Sequence, residues 1–425
     1  MSAGGVLGAE TLATVERDLA ATDELLSKGY PGDSGVRQPI HTLYIPADRY
    51  TPELPAAMGA AALEKAGGTA GLAALAGRLG LSQPGELAEL VAAKLEREPI
   101  EDLRLDFEDG YGDPGDDIED AAVIKAAQLV TQAVAEGTAP PFIGIRFKCF
   151  EAPTRARGLR TLDLFVSTLA RAGELPEGLV LTLPKVTTVA QVKAMVFVCE
   201  QLEAAHGLPA GRLRFEVQME TPQLILAADG TVPSAALIHA GKGRVSSLHY
   251  GTYDYSASLG IAAAYQSMEH PAADYAKNVM QVAVAGTGVH LSDGSTNILP
   301  LGEADQVEAA WALHARLVRR HLERGIYQGW DLHAHQLATR YLATYAFYRE
   351  GFAAAAVRLR NYVHKVESAI MDEPATAKAL ANFIRRGLIC GALTGGEITE
   401  QAEISLTTLE AIALARATQT EDSHV

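Results

Sequence analysis

Between residues 42 and 334 the sequence alternates short β-like runs with Ala/Leu-rich stretches of helical period, which restricts the chain to βα units built on parallel strands. Eight runs read as strands: TLYIPA (42–47), DLRLDFED (102–109), PFIGIRFK (141–148), GLVLTLPKV (178–186), RLRFEVQME (212–220), VSSLHYGTYD (245–254), GVHLSD (288–293) and GWDLHA (329–334). Helical patterns such as DIEDAAVIKAAQLVTQAVAEG and TVAQVKAMVFVCEQLEAAHG lie between most of them. Eight strands with intervening crossovers is the count of a closed (β/α)8 barrel, so an α/β TIM barrel is expected. A doubly wound open sheet is the competing architecture, because periodicity does not report closure. No Gly-x-Gly-x-x-Gly follows the first strand, which weakens a dinucleotide-binding reading.

A bare barrel does not use all 425 residues. Residues 1–36 are read as an N-terminal helical segment and 37–340 as the barrel, with a helical insertion at 48–101 whose patterns, AAMGAAALEKAG and GELAELVAAKLE, are split by Gly and Pro. After His335 the chain reads as helix: QLATRYLATYAFYREGF, AAAAVRLRNYVHKVESAI, TAKALANFIRRGLICGAL and LTTLEAIALARA. Residues 341–425 are therefore expected to form a C-terminal helical extension, used for packing or oligomer contact. No repeat with a period of a few tens of residues is present.

Charge and composition narrow the class. Against 52 Asp+Glu there are 36 Lys+Arg, a net charge of −16, which argues against a nucleic-acid or polybasic membrane surface. Hydrophobic residues at 48% with 21% charged exclude a largely disordered chain. Cys149, Cys199 and Cys390 are odd in number and scattered, which makes neither a disulfide framework nor a zinc cluster and fits a reducing cytosol. The first residues lack the basic and continuous apolar regions of a signal peptide, and apolar runs such as GFAAAAVRL fall short of the ~20 residues of a membrane helix. A soluble, cytoplasmic protein without membrane contact is expected.

Residues i and i+2 of a strand share a face, so polar residues at alternate positions of a buried strand need a reason. Glu216, Gln218 and Glu220 oppose Phe215, Val217 and Met219; Arg104, Asp106 and Glu108 oppose Leu103, Leu105 and Phe107; Arg146 and Lys148 oppose Ile145 and Phe147. The apolar faces must meet the helices, so the charged faces look into the barrel. Arg104, Asp106 and Glu216 are assigned to an interior salt-bridge network. Glu108, Asp109, Arg146, Lys148, Lys185, Glu220 and Asp254 fall at the C-terminal ends of their strands, the rim where barrel active sites sit. Glu220 and Asp254, from adjacent strand ends, supply what a hard divalent cation needs: Mg2+, or Mn2+, takes one or two carboxylates and completes its shell with water and substrate. His333 and His335 stand at i and i+2 with no third nitrogen or sulfur ligand nearby in sequence. His41 precedes the first strand and His249 lies midway along the sixth, so both are read as structural.

These motifs resemble the HpcH/HpaI aldolase and citrate lyase β-subunit family of the phosphoenolpyruvate/pyruvate-binding barrels, as a divergent branch. RQPIHTLYIPADR (37–49) is similar to the family's opening Arg-containing strand; LDFEDGYG (105–112) resembles its Asp-Leu-Glu-Asp motif, with Lys125 in the following helix. IRFK (145–148), LPKV (183–186) and MET (219–221) match its arginine, Leu-Pro-Lys and Ile-Glu-Thr motifs. HYGTYDYSASLG (249–260), VHLSDG (289–294) and LHAHQL (332–337) resemble its last three. Ala334 departs from the motif proline, Tyr111-Gly112 extends the acidic motif, and 48–101, 255–287 and the C-terminal helices look like additions.

The resemblance implies Glu220 and Asp254 as Mg2+ ligands and Arg146 as the clamp on a substrate carboxylate and enolate oxygen. It implies Glu108 and Asp109 as groups orienting metal-bound water or Arg146, and Arg37 and Lys185 as substrate contacts. The implied activity is a Mg2+-dependent carbon–carbon lyase acting beside a 2-oxo acid, a 3-hydroxy acid or an acyl thioester. Glu108, Asp109, a metal-bound water and His333 are all open as the base. Alternatives are acyl-CoA thioester hydrolysis or phosphoenolpyruvate chemistry at the same site, and a non-catalytic metabolite-binding subunit. CoA has no short motif here; the basic run RARGLR (155–160) could meet a phosphate or form a solvated loop. A homo-oligomer, trimer or hexamer, is a further implication of the resemblance.

Overall fold

A computed structural model describes residues 6–366 and 372–415. Helix α1 (Ala9–Gly29) precedes strand β1 (His41–Pro46), and α2 (Leu54–Ala66), α3 (Gly68–Arg78) and α4 (Pro84–Arg97) separate it from β2 (Asp102–Asp106). Then come α5 (Asp116–Glu136), β3 (Phe142–Arg146), α6 (Arg155–Ala172), β4 (Leu179–Leu183), α7 (Val189–His206) and β5 (Phe215–Met219). The series continues with α8 (Pro233–Ala240), β6 (Val245–Tyr250), α9 (Thr252–Ser258), α10 (Pro271–Val284), β7 (His290–Ser292), α11 (Ala304–Glu323) and β8 (Gly329–Asp331). Helices α12 (Leu337–Val363), α13 (Pro374–Cys390), α14 (Gly395–Ala402) and α15 (Leu406–Ala413) follow.

All eight strands pair in parallel in chain order, with β1 also paired to β8. The circle closes between β7 and β8 through a parallel bridge from Ser292 to Gln328, the Asp293 N–H to Gln328 O bond at 2.8 Å and the Trp330 N–H to Gly294 O bond at 3.2 Å. The fold is thus the expected (β/α)8 barrel rather than an open sheet.

The outward strand residues Leu43, Ile45, Leu103, Leu105, Ile143, Ile145, Leu181, Val217 and Leu248 are buried beneath the helices. Each such side chain removes apolar surface worth roughly 1.5–3 kcal/mol from water. The inward face is polar and internally paired. Arg104, wholly buried, donates to Asp102 at 2.7 Å and to Glu216 at 3.1 Å. Glu216 also accepts from Thr182 at 2.6 Å and Tyr44 at 3.1 Å. Gly144 leaves room for this arginine, since a Cβ there would come within 2.9 Å of Arg104 Nη1 and 1.6 Å of the Val180 carbonyl oxygen.

His249 accepts from the Trp330 indole at 2.9 Å, and His41 accepts the Glu101 N–H at 3.2 Å, the buried structural positions expected of both. His41, His314 and Arg340 surround Asp331; burial pushes that carboxyl up, and Arg340 and His314 override it to hold it below the ordinary range. This cluster joins the barrel to α11 and α12. A second apolar cluster, including Phe352, Leu359, Ile384, Ile398 and Leu409, unites α12 with α13–α15. The two helical patterns expected at 336–352 and 353–370 run together as α12, with 367–370 outside the described residues, as are 416–417 of the last pattern. Among the described residues no helix is long and apolar enough to cross a membrane, and the three cysteines are free and buried.

Candidate functional site

At the C-terminal rim, Asp106 organises two elements. Its carboxylate accepts the Glu108 N–H at 3.0 Å and the Gly110 N–H at 2.7 Å, which turns the chain so that Glu108 and Asp109 project from the end of β2. The same carboxylate takes Arg146 Nε at 2.7 Å and Nη2 at 2.6 Å. Two parallel charge-assisted bonds fix the guanidinium plane as well as its position. Nη1 then lies 3.2 Å from Glu108 Oε2 and 4.0 Å from Asp109, with the guanidinium carbon 5.1 Å from the centroid of the Tyr44 ring. Asp106 therefore belongs to the rim, a correction to its assignment to the interior network, while Arg104 and Glu216 stay in that network.

Lys185 knits the next elements to this pair. Its backbone sits at φ +47°, the left-handed region that costs a non-glycine residue roughly 1–2 kcal/mol. That turn aims its N–H at Glu220 Oε2, 2.9 Å away, while Nζ reaches Glu108 and both Asp109 oxygens at 2.7 Å and Asp254 at 3.9 Å. Gly251 lets the β5 and β6 ends approach closely: a Cβ there would meet Glu220 Cγ at 2.2 Å and Oε1 at 2.8 Å. Asp254 is not on a strand, as the sequence suggested, because β6 ends at Tyr250 and Asp254 occupies the first turn of α9. It nonetheless joins Glu108, Asp109, Arg146, Lys185 and Glu220 in one cluster.

The cluster is electrostatically uneven. Glu220, 2% exposed, forms no ion pair with any described residue; burial, then Glu108 and Asp254, push its carboxyl up to about 8 against the pull of Arg146. Burial also raises Glu108, with Asp109 adding to it and Arg146 and Lys185 opposing it. Asp109 moves the other way: burial alone would raise it, and Lys185 and Arg146 bring it below its ordinary value. Glu108 Oε2 is buried without a hydrogen bond. A buried carboxylate with no ion pair to a described residue, whose proton affinity is raised by two neighbouring acids, Glu108 and Asp254, is a donor suited to a divalent cation. Among the described residues no three His, Cys, Asp or Glu side chains make a complete metal site, and Mg2+ requires only one or two carboxylates from the protein.

Other residues singled out in sequence lie apart. Arg37 stands at the opposite, N-terminal mouth, paired with Glu98 and, at 2.8 Å, with Glu101, so it is not brought to the rim. Lys148 is drawn to Glu119 at 2.5 Å. His333 accepts the His335 N–H at its Nδ1 and makes no hydrogen bond or ion pair with the cluster. In the basic run, Arg157 and Arg160 both pair with Asp120, at 2.6 and 2.7 Å, at the start of α6. Sequence reasoning missed the clamping role of Asp106 and the ring of Tyr44 under Arg146; the alternation of Arg104, Asp106 and Glu108 signalled an inward face but not depth along it.

The family described as "Domain of unknown function (DUF6986)" matches residues 19–417. No curated protein matches the chain. Similar solved structures include a magnesium/glyoxylate complex of Haloferax volcanii malate synthase, 13% identical with a TM-score of 0.49, covering 88% of this chain and 97% of that one. Another is CitE from Mycobacterium tuberculosis in complex with magnesium, acetoacetate and coenzyme A, 17% identical with a TM-score of 0.48, covering 83% and 99%. A third is an HpcH/HpaI aldolase/citrate lyase family protein from Burkholderia cenocepacia, 14% identical with a TM-score of 0.40, covering 81% and 99%.

Proposed function

The chain belongs to the DUF6986 family, and from that premise we propose that it is a Mg2+- or Mn2+-dependent carbon–carbon lyase working through an enolate. Its substrate class is a 2-oxo acid, a 3-hydroxy acid or the corresponding CoA thioester. The observation that carries this reading is the buried carboxylate Glu220, which makes no ion pair with a described residue, near Asp254 and an Arg146 locked by Asp106. The order of sequence motifs supports the same reading.

Breaking a carbon–carbon bond beside a carbonyl leaves negative charge on the carbonyl oxygen, and the barrier falls to the extent that fixed charge already points there. Glu220 and Asp254 would hold the cation, which supplies Lewis-acid polarisation of the carbonyl when bound. Arg146 contributes a second positive donor; because Asp106 takes Nε and Nη2, its Nη1 edge is the one left toward Glu108 and the substrate. Lys185 neutralises Glu108 and Asp109, which keeps the rim from repelling an anionic substrate. Cleavage needs a proton acceptor for the hydroxyl. Glu108, whose proton affinity is raised, suits that step better than Asp109, whose affinity is lowered.

The test is turnover of a panel of 2-oxo acids, 3-hydroxy acids and their CoA thioesters, with and without chelator. Glu220→Ala and Asp254→Ala should each lower metal-dependent turnover by about 100-fold or more. Turnover at the wild-type level in either variant overturns the site. Products formed in 18O-labelled water separate lyase from thioesterase chemistry, since only hydrolysis places the label in the acyl carboxylate.

A further inference from the structure

A cavity of about 150 Å3 lies at the N-terminal mouth of the barrel, opposite the carboxylate rim. Its wall is formed where strands begin: Asp102, Phe142, Val180, Arg214, Ser246 and His290. The acids near this mouth are already committed. Asp102 and Glu216 pair with Arg104, Glu203 pairs with Arg244 at 2.6 Å, and Glu98 and Glu101 pair with Arg37 and Lys94. Arg212 spends its Nη2 on the backbone carbonyls of Leu175 and Pro176.

Arg214 is the exception. Its guanidinium makes no hydrogen bond and no ion pair with any described residue, and its Nε is buried. Burial lowers its proton affinity, and no carboxylate counters that effect. Beside it, Ser246 Oγ is buried without a partner, and so is Nε of Arg37, which lines the same cavity. Arg214 and Gly288 also line an adjoining groove of about 700 Å3 between α1 and the barrel floor; its two lysines are already neutralised, Lys28 by Glu24 at 2.7 Å and Lys242 by Glu200 at 3.2 Å, so Arg214 is the unpaired cation there among the described residues. Glu177 is the acid left facing the cavity beside the paired Asp102 and Glu216.

An unpaired arginine inside a cavity is costly to keep, because desolvating a charge is repaid only by an opposite charge or by hydrogen bonds. A guanidinium presents a planar fork that fits the oxygens of a phosphoryl or carboxylate group. We propose that the N-terminal mouth is a binding site for a small oxyanion, a phosphoryl group or a short dicarboxylate, held by Arg214 with Ser246 Oγ beside it. The site is separate from the rim cluster and does not depend on the reaction assigned there. Arg214 is a ligand-binding residue in this reading, and no catalytic step is assigned to it.

Isothermal titration of the full-length protein with inorganic phosphate in one arm and malonate in the other tests this. Saturable binding of at least one is expected, unchanged by Arg146→Gln at the rim and weakened at least tenfold by Arg214→Gln. Ser246→Ala, which leaves the charge in place, should weaken the same ligand by a smaller factor and serves as the readout should Arg214→Gln not fold. The stronger arm identifies the anion class. Absence of binding up to about 10 mM in both arms overturns the proposal, as does binding left intact by both Arg214→Gln and Ser246→Ala; titration heat lost only in Arg146→Gln would move the anion to the rim and overturn it equally.

Discussion

Arg104, Asp106 and Glu108 share one face of β2 and its extension, yet each is given a different task by its depth in the barrel. Arg104 is closed into the interior by Asp102 and Glu216, Asp106 grips Arg146 at the end of the strand, and Glu108 stands beyond it with one oxygen that takes no hydrogen bond. Because each Asp106 oxygen accepts one backbone N–H of the turn and one Arg146 N–H, Asp106→Asn should lose one bond of each kind, lowering kcat by roughly 10–100-fold with a smaller change in KM; equal kcat would show that Arg146 is positioned without it. Glu220 makes a pH prediction in metal-free protein. Its folded value of about 8 lies above the reference value of 4.5, so the folded state favours its proton. The contribution is present below pH 4.5 and is lost as pH rises through about 8. Glu220→Gln should therefore be more stable than wild type at pH 9, by an amount on the order of a few kcal/mol, and close to wild type at pH 4.5, as read by urea denaturation.

Every strand ends before its sequence run does, and all but β1 are shorter than their runs. β2 ends at Asp106 and β5 at Met219, so Glu108, Asp109 and Glu220 lie just beyond the ladder, where side chains are free to converge. At the β6–α9 junction Gly251 admits the Glu220 side chain against the backbone. Gly251→Ala must move that carboxylate, so divalent-cation affinity should fall at least tenfold while the melting transition drops by an equivalent of about 1–3 kcal/mol. Calorimetric metal binding with an unchanged constant would remove Gly251 from the site. The sequence run VSSLHYGTYD looked like one strand because its polar and apolar residues alternate. The helical turn that carries Asp254 is set by the chain leaving the sheet after Tyr250, which alternation does not report.

For the whole molecule, burial holds several histidines neutral. His41 and His290 are brought down to about 4 and His321 to about 3, in each case chiefly by burial, with Arg340 or Arg386 nearby adding to it. Each is depressed below the ordinary 6.5, so the stability each provides is present above pH 6.5 and is lost as pH falls through about 4. Denaturation between pH 7 and 4.5 should show stability falling by up to roughly 1.4 kcal/mol per pH unit for each histidine. Imidazole NMR at pH 5.5 should find these rings neutral, and protonated rings at that pH would exclude the effect.

Strand number, parallel order, polar inward faces and six of the rim side chains were legible in the sequence, because the two-residue period of a strand and the sidedness of a barrel act locally. Arg37 could have been excluded on the same logic as His41, since one precedes β1 and the other begins it, so both sit at the mouth away from the rim. Closure between β7 and β8, the grip of Asp106 on Arg146, the left-handed turn that aims Lys185 at Glu220 and the unpaired Arg214 below were decided by tertiary structure. Each joins residues 35 to 40 positions apart or depends on which neighbours are already paired. Alternation assigns a side chain to a face; only the packed barrel sets its depth and its partner.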